Sequence, residues 1–469
     1  MIADLKPYSE YKVSDQDWFG SVPLHWSVLP NRAIFEEVKD RNHPDEEMLS
    51  VTITRGIVRQ KTLLANSSKK DSSNLNKSAY KLVQPHDIAY NKMRAWQGAI
   101  GVSNFRGIIS PAYVVMRLRK SKNLPRYFHH LYRTPMFAKE AERWSYGITS
   151  DMWSLRPEHF KMIYTPEPPE EEQATIVRFL NWVNNRLGRA IKAKQKQIVL
   201  LNEQKQAIIH RAVIRGLDPS ITLKPSGIPW LGEIPSHWMV RRIRQIVVVK
   251  PAKSESINEL RRNSVVTFLP MENVKTDSTI DATLQVPAAD VCNGFTYFRR
   301  GDVIVAKITP CFENGKGAYL EKLPTEVGFG STEFHVLRPG PKILGAYLRL
   351  VTASKQFLDN GTNSMTGSAG QQRVSTDFIK NYPIALPEVT EQQEILDSVE
   401  RSVSKIGIGV SSLEHEIELL KEYRTCLVAD VVTGKFDVRE AAAKLPEEEI
   451  EEIAEASEDM ESAEEEIAV

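Results

Sequence analysis

This chain of 469 residues has few cysteines, no long apolar run and almost no net charge. Cys292, Cys311 and Cys426 show no metal-ligand spacing, and an odd count fits a reducing compartment better than a disulfide framework. No stretch approaches the ~18 consecutive apolar residues of a membrane-spanning helix. Met1 to Lys6 lack the basic and apolar blocks of a secretory signal. Cytoplasm is therefore the expected location, with no membrane partner. Catalytic signatures are missing as well. There is no Gly-x-Gly-x-x-Gly after a strand and no Gly-x-x-x-x-Gly-Lys-Ser/Thr loop, so nucleotide phosphates have no obvious cradle. His129-His130 lack companion ligands at metal spacing, and a helix-surface or loop role is expected for them. Glu37-Val38-Lys39 fits part of a nuclease motif, but no Pro-Asp pair precedes it, and chance explains it.

The near-neutral balance is itself misleading. From Glu440 to Val469 there are 13 acidic residues and one lysine, which leaves 60 Lys and Arg against 47 Asp and Glu elsewhere. The chain is a basic body of net charge about +13 with an acidic tail. A basic body suits a polyanion, because Lys and Arg contacts to phosphate release condensed counterions. The same charge also serves plain solubility. The tail is expected to be a disordered, solubilising segment.

What the chain does have is a long-period repeat. Trp18-Phe19-Gly20-Ser21-Val22-Pro23-Leu24-His25-Trp26 returns as Trp230-Leu231-Gly232-Glu233-Ile234-Pro235-Ser236-His237-Trp238, an offset of 212. Glu172-Gln173-Ala174-Thr175-Ile176 returns as Glu391-Gln392-Gln393-Glu394-Ile395, an offset of 219. Solenoid units repeat every ~20–50 residues, so each copy here is long enough for a domain with its own core. The four tryptophans are expected to pack in those cores.

Each half runs from its tryptophan motif through short β-branched runs to one long helix. Runs such as Ser50 to Thr54, Tyr113 to Leu118, Gly301 to Ile308 and Glu333 to Leu337 read as strands between Asn, Gly, Pro and Ser clusters. Pro125 to Arg143 and Ile343 to Phe357 read as helical. In the second half Val399, Val403, Ile406, Val410, Leu413, Ile417, Leu420, Leu427 and Val431 alternate by four and three, the seam of a coiled coil. Ile176, Leu180, Val183, Leu187, Ile191, Lys194, Ile198, Leu201, Ile208 and Ala212 form a looser version. Pro168-Pro169 and Pro387 precede the two helices, and acidic residues fill their first turns. Gly188 and Gly407 match in position and mark a close helix crossing or a bend. The segment from Glu203 to Asp218 parallels Glu422 to Asp437, and Leu5-Lys6-Pro7 parallels Leu223-Lys224-Pro225. The two ends together thus mimic the middle, which predicts a cyclic pseudo-symmetry with the termini close in space.

These paired motifs, with the closing segment Val431-Val432-Thr433-Gly434-Lys435-Phe436-Asp437, resemble the specificity subunit of type I restriction–modification enzymes, over nearly the whole chain up to about Arg439. Asp87 to Trp96 and Ala306 to Gly317 are similar to segments of that family's target recognition domains. The resemblance implies an α+β fold: two strand-rich target recognition domains, separated by two long antiparallel coiled-coil helices. The expected divisions are residues 1–168 for the first domain, 169–216 for the central helix, 217–229 for a linker, 230–387 for the second domain, 388–439 for the C-terminal helix and 440–469 for the tail. It also implies a non-catalytic subunit that reads a bipartite site on double-stranded DNA and docks two modification (methyltransferase) subunits and the restriction (motor-nuclease) subunits. S-adenosylmethionine, ATP and Mg would lie on those partners, and no cofactor or metal on this chain. In keeping with this, the Asp/Asn-Pro-Pro-Tyr/Phe signature of adenine methyltransferases is missing.

The candidate reading residues lie in polar turns. In the first half they are Asn91, Lys92, Arg94, Trp96 and Gln97, with Thr149 and Ser150 in a second loop. In the second half they are Lys307, Thr309, Asn314 and Lys316, with Gln371, Gln372 and Arg373. Arg and Lys can donate to guanine, and Asn and Gln can pair bidentately with adenine. Lysines in such turns can also touch phosphate alone, which positions without specifying. Two alternatives remain open: a specificity subunit of a related motor-less methyltransferase–nuclease, or a coiled-coil adaptor with two protein-binding domains.

Overall fold

The computed structural model describes residues 5–65, 77–147, 149, 152–256, 265–368 and 370–446. The chain divides into two compact units, one built from residues up to Gln195 and from Glu414 onward, the other from Lys196–Leu413.

The first unit carries a four-stranded antiparallel sheet in the order Phe35–Val38, Tyr113–Leu118, Ile88–Asn91, Ile100–Val102. The second carries the same sheet as Val247–Val249, Phe334–Pro339, Val303–Ala306, Gly317–Tyr319. In both, a strand following the tryptophan motif pairs with the strand that leads into a long helix. Ser27–Pro30 pairs with Tyr164–Glu167, and Met239–Arg242 pairs with Pro383–Leu386. The tryptophan motifs themselves close two equivalent hairpins, Tyr11–Val13 with Ser21–Pro23 and Leu223–Pro225 with Glu233–Pro235. The units differ in their side sheets. The second has four further strands, Gln285–Pro287, Val265–Leu269, Val327–Gly330 and Thr296–Arg299. The first has two two-stranded pieces, Leu49–Thr52 with Gly56–Arg59 and Lys81–Val83 with Gly107–Ile109.

The two long helices span Glu170–Arg215 and Val389–Val432. In the first unit, Ile176, Phe179, Leu180 and Val183 at the start of one join Leu427, Val431 and Val432 at the end of the other in a single core. In the second unit, Ile209, Ala212 and Val213 join Ile395 and Val399. Starts meet ends in both units, so the helices are antiparallel and the expected fold class holds. The seam is uneven: Ile191 and Ile417 are buried, whereas Ile406, Val410 and Leu413 are half-buried. The close crossing expected at Gly407 is not there: the residue is exposed, and a Cβ on it would meet nothing within 4 Å. Gly188 is buried.

The paired motifs are partners of each other. Glu172 accepts hydrogen bonds from Trp26 Nε1 at 3.0 Å and from the Tyr8 hydroxyl, and lies 2.7 Å from His25 Nε2. Glu391 accepts from Trp238 Nε1 at 2.9 Å and lies 2.9 Å from His237 Nε2. The neighbouring glutamine uses its whole amide. Gln173 accepts from Leu124 N at 2.8 Å and donates to Pro168 O and Asn123 Oδ1. Gln392 accepts from Leu344 N at 2.9 Å and donates to Pro387 O and Lys342 O. Both glutamines are buried, where an unpaired amide would be costly. The helix ends complete the joint: Gly434, at φ +78°, approaches the Pro23 and Trp26 rings, and Gly216, at φ +70°, approaches Trp238. Lys6 pairs with Asp437, so the two ends of the described chain do lie together. Trp18, Trp26 and Trp238 are buried and Trp230 stacks on Tyr382 at 4.8 Å, as the packing role requires.

Three expectations change. Pro125 to Arg143 forms two helices, Pro125–Tyr132 and Pro135–Arg143, because Thr134 starts a new one by accepting from Phe137 N. Gly345–Thr352 and Lys355–Asn363 divide likewise at Ser354, which accepts from Phe357 N. The tail begins later than its composition implies: Arg439–Ala443 is helical and Ala441, Ala442 and Leu445 join the first core, whereas 447–469 lie outside the described residues. His129 and His130 sit half-buried on helix Pro125–Tyr132 rather than on its surface, and His129 Nδ1 accepts from Val102 N at 3.2 Å.

Two predictions arise from this packing. Glu172→Ala strands the fully buried Trp26 N–H and is expected to cost about 1–3 kcal/mol. Glu391→Ala, whose carboxylate is 25% exposed against 6% for Glu172, is expected to cost less. Thermal unfolding of both variants checks the order. Burial and the nearby Arg126 charge lower the His130 pKa to about 4. Its Nε2 is buried without a partner, so the folded state resists the second proton. The unfolded chain binds that proton near pH ~6.5, so stability falls as pH drops from there toward about 4. Leu350 occupies the matching place in the second unit. His130→Leu is therefore expected to flatten that acid loss, measured as the change in Tm between pH 7 and pH 5.

Candidate nucleic-acid interface

Each reading turn leaves the end of the third strand of the main sheet, and each strand is held by the same buried ion pair. Asp87 precedes Ile88–Asn91 and takes Arg117 in a bidentate pair at 2.7 and 2.8 Å. Asp302 precedes Val303–Ala306 and takes Arg338 at 2.7 and 2.9 Å. Each carboxylate also accepts one backbone N–H, from Gln84 and from Arg299. The turn beyond is then tied to a distant loop by one equivalent bond. Leu155 N donates to Lys92 O at 2.9 Å, and Val374 N donates to Lys307 O at 2.8 Å. The structure therefore joins turn 91–97 to the loop ending at Leu155, and turn 307–316 to the loop ending at Val374.

Within the first unit, the Asn91 side-chain carbonyl accepts from Met93 N at 3.0 Å, so it shapes the turn. Trp96 is half-buried, donates to Met93 O at 3.0 Å and meets Trp153 edge-on at 5.5 Å, which makes it a packing residue of the loop joint. Arg94 is exposed and donates to Gln97 Oε1 at 3.0 Å. Thr149 is exposed and its carbonyl accepts from Met152 N; Ser150 lies outside the described residues. Lys92 stands in a cationic group that composition alone did not reveal. Burial, then the charges of Lys92, Arg41 and Lys39, hold the Lys81 pKa below its ordinary value, with Glu37 opposing them. Lys161 and Lys39 both reach Glu37, at 3.2 and 3.5 Å.

In the second unit, Lys307 N donates to Glu333 O at 2.9 Å, and Thr309 exchanges bonds with Gln372, N to O at 3.0 Å and Oγ1 from N at 3.1 Å. Asn314 and Gln371 are exposed, and Lys316 Nζ reaches Met271 O at 3.4 Å. Arg373 forms a forked pair with Glu333, at 3.0 and 3.1 Å. That pair lowers the Glu333 pKa. Burial lowers the His335 pKa, and the Lys307 and Lys250 charges add to it.

Glu333, Lys81 and the Asp–Arg pairs were not singled out from sequence. The available signal was the common offset of 215 from Gln84, Asp87 and Lys92 to Arg299, Asp302 and Lys307. Among the described residues no group of three or more His, Cys, Asp or Glu is placed to hold a metal ion. No helix among them is long and apolar enough to cross a membrane.

Residues 235–418 match the type I restriction modification DNA specificity domain. The chain is 38% identical over 166 residues to the type I restriction enzyme EcoAI specificity subunit of Escherichia coli, covering 35% of this chain and 28% of that one. It is 34% identical over 196 residues to the EcoEI specificity subunit of the same organism, covering 41% and 32%. These matches thus span about a third or less of the relatives' own lengths. A chain solved in a study of complex assembly and conformational transition of the type I R-M system has a TM-score of 0.62 at 12% identity. It covers 88% of this chain and 98% of its own length, and it shows the shared fold. Over these matched regions the chain is similar to type I restriction–modification specificity subunits.

Proposed function

We propose that this chain is the non-catalytic DNA-recognition subunit of a type I restriction–modification complex, working in the cytoplasm. Each unit reads one half of a bipartite duplex site, through the turn after its third sheet strand and the loop tied to it. The antiparallel helices set the gap between half-sites and dock two modification subunits, with the restriction subunits joining that assembly. S-adenosylmethionine, ATP and Mg belong to those partners.

One observation carries the reading. The Asp–Arg pair beside each third strand and the backbone bond that ties each turn to its loop are duplicated, whereas the turns themselves differ. Arg94, Trp96 and Gln97 stand in one and Thr309, Asn314 and Lys316 in the other. Equivalent frames suit equivalent partners, and unlike turns suit unlike half-sites. The basic body supplies phosphate attraction that positions the duplex, leaving discrimination to base edges.

Selection of bound sequences from a randomised duplex pool tests this. The expected product is two defined blocks separated by a fixed, undefined gap. Inserting one heptad into each long helix is expected to lengthen that gap or abolish binding, while both blocks keep their sequence. A single continuous block, or no enrichment, would overturn the reading.

A further inference from the structure

The Arg373–Glu333 pair at the second turn has no counterpart in the first unit. The equivalent bonds Lys92 O to Leu155 N and Lys307 O to Val374 N place Ser154 where Arg373 stands. The sheet registers Asn91 with Tyr113 and Ala306 with Phe334 place Ala112 where Glu333 stands. Asp87–Arg117 and Asp302–Arg338, by contrast, are duplicated and belong to the frame. An ion pair present at one reading surface alone is free to serve what that surface alone does.

Its geometry is specific. Arg373 Nε and Nη2 donate to Glu333 Oε2 and Oε1, so the inner edge of the guanidinium is taken. Nη1 has only a 3.4 Å contact to Gln371 O. The outer edge, Nη1 with the second hydrogen of Nη2, still offers two parallel donors. The backbone beneath is fixed from both sides: Arg373 N and O bond to Thr366, and Gln372 is tied to Thr309. Arg373 is 45% exposed at the side chain, so the outer edge is open to a ligand. A free arginine would have to give up its rotamer freedom on binding; here the carboxylate has already fixed it.

We propose that Arg373 reads a guanine in the second half-site through O6 and N7, and that Glu333 is the positioning residue that aims it. Guanine is the base whose major-groove edge carries two acceptors matched to a guanidinium edge. Thr309 and Gln372 hold the segment that presents it, and Asn314 and Gln371 lie exposed in the same turn and loop. The inference rests on reading the chain as a DNA-recognition subunit.

The test is selection from a randomised duplex pool with the full chain, the Arg373→Lys variant and the Glu333→Gln variant. Wild type is expected to enrich a guanine at one position of one block. Arg373→Lys keeps the charge but loses the fork, and is expected to lower preference at that position roughly tenfold. Glu333→Gln keeps the shape but frees the fork, and is expected to relax the same position by a smaller factor. All other positions, and the salt dependence of binding, are expected to stay unchanged. If Arg373 met only phosphate, Arg373→Lys would leave every base preference intact, and an Arg373→Ala variant would weaken all sequences equally and reduce the salt slope by about one; that outcome overturns the inference. Relaxation at different positions in the two variants also overturns it. Failure of wild type to enrich any sequence would instead overturn the proposed function itself.

Discussion

The structure depends on a carboxylate in the first turn of each long helix, buried at Glu172 and half-buried at Glu391. Glu172 and Glu391 each take the indole N–H of a tryptophan that arrives about 150 residues earlier, at the mouth of the same unit. The adjacent Gln173 and Gln392 bind the turn that opens the next helix of the sheet domain. A domain and a helix are thereby welded at one dipeptide, whose glutamine amide is fully used. The glycines that end the helices close over the same tryptophans, which only left-handed backbone allows at that distance. Each joint therefore contains the start of one long helix, the end of the other and the base of one sheet domain.

A joint of this kind decides where variation is tolerated. The sheet strands are pinned from below by the joint and from the side by Asp87–Arg117 or Asp302–Arg338. What leaves the end of the third strand is tied at its base through the carbonyl of Lys92 or Lys307, and in the second unit also through Thr309 and Gln372. Beyond that bond Ala95 and Phe312 belong to the cores, whereas Arg94 and Asn314 are exposed and can change without disturbing them. Arg94 with Gln97 in one unit, and Arg373 with Glu333 in the other, are different solutions built on one platform.

Much of this was legible in the sequence, and the reason is periodicity. The alternating seam from Val399 to Val431 needs no tertiary information, and the helix ends followed from prolines, acidic first turns and glycines. The duplicated motifs announced a duplicated fold. Their mutual contact was not legible, because no local rule links Trp26 to Glu172. The reading surfaces were legible as polar turns but not as joints, since the joint is a backbone bond between segments 63 residues apart or more. Glu333 escaped because it sits among the strand residues, where a carboxylate reads as an ordinary exposed position. Gly407 misled for the opposite reason: a conspicuous residue in matching positions is open to solvent and touches nothing. Asn91 Oδ1 and Trp96 Nε1 also shape the turn, through Met93 N and Met93 O, which sequence alone does not show.

The central claim is that one chain carries two equivalent frames with independent reading surfaces. The most direct measurement exchanges residues 14–168 for the equivalent segment of a relative with a different target, and maps the modified sites in a whole genome. The account predicts that one half-site changes, while the other half-site and the gap are retained. A change in both half-sites would contradict it.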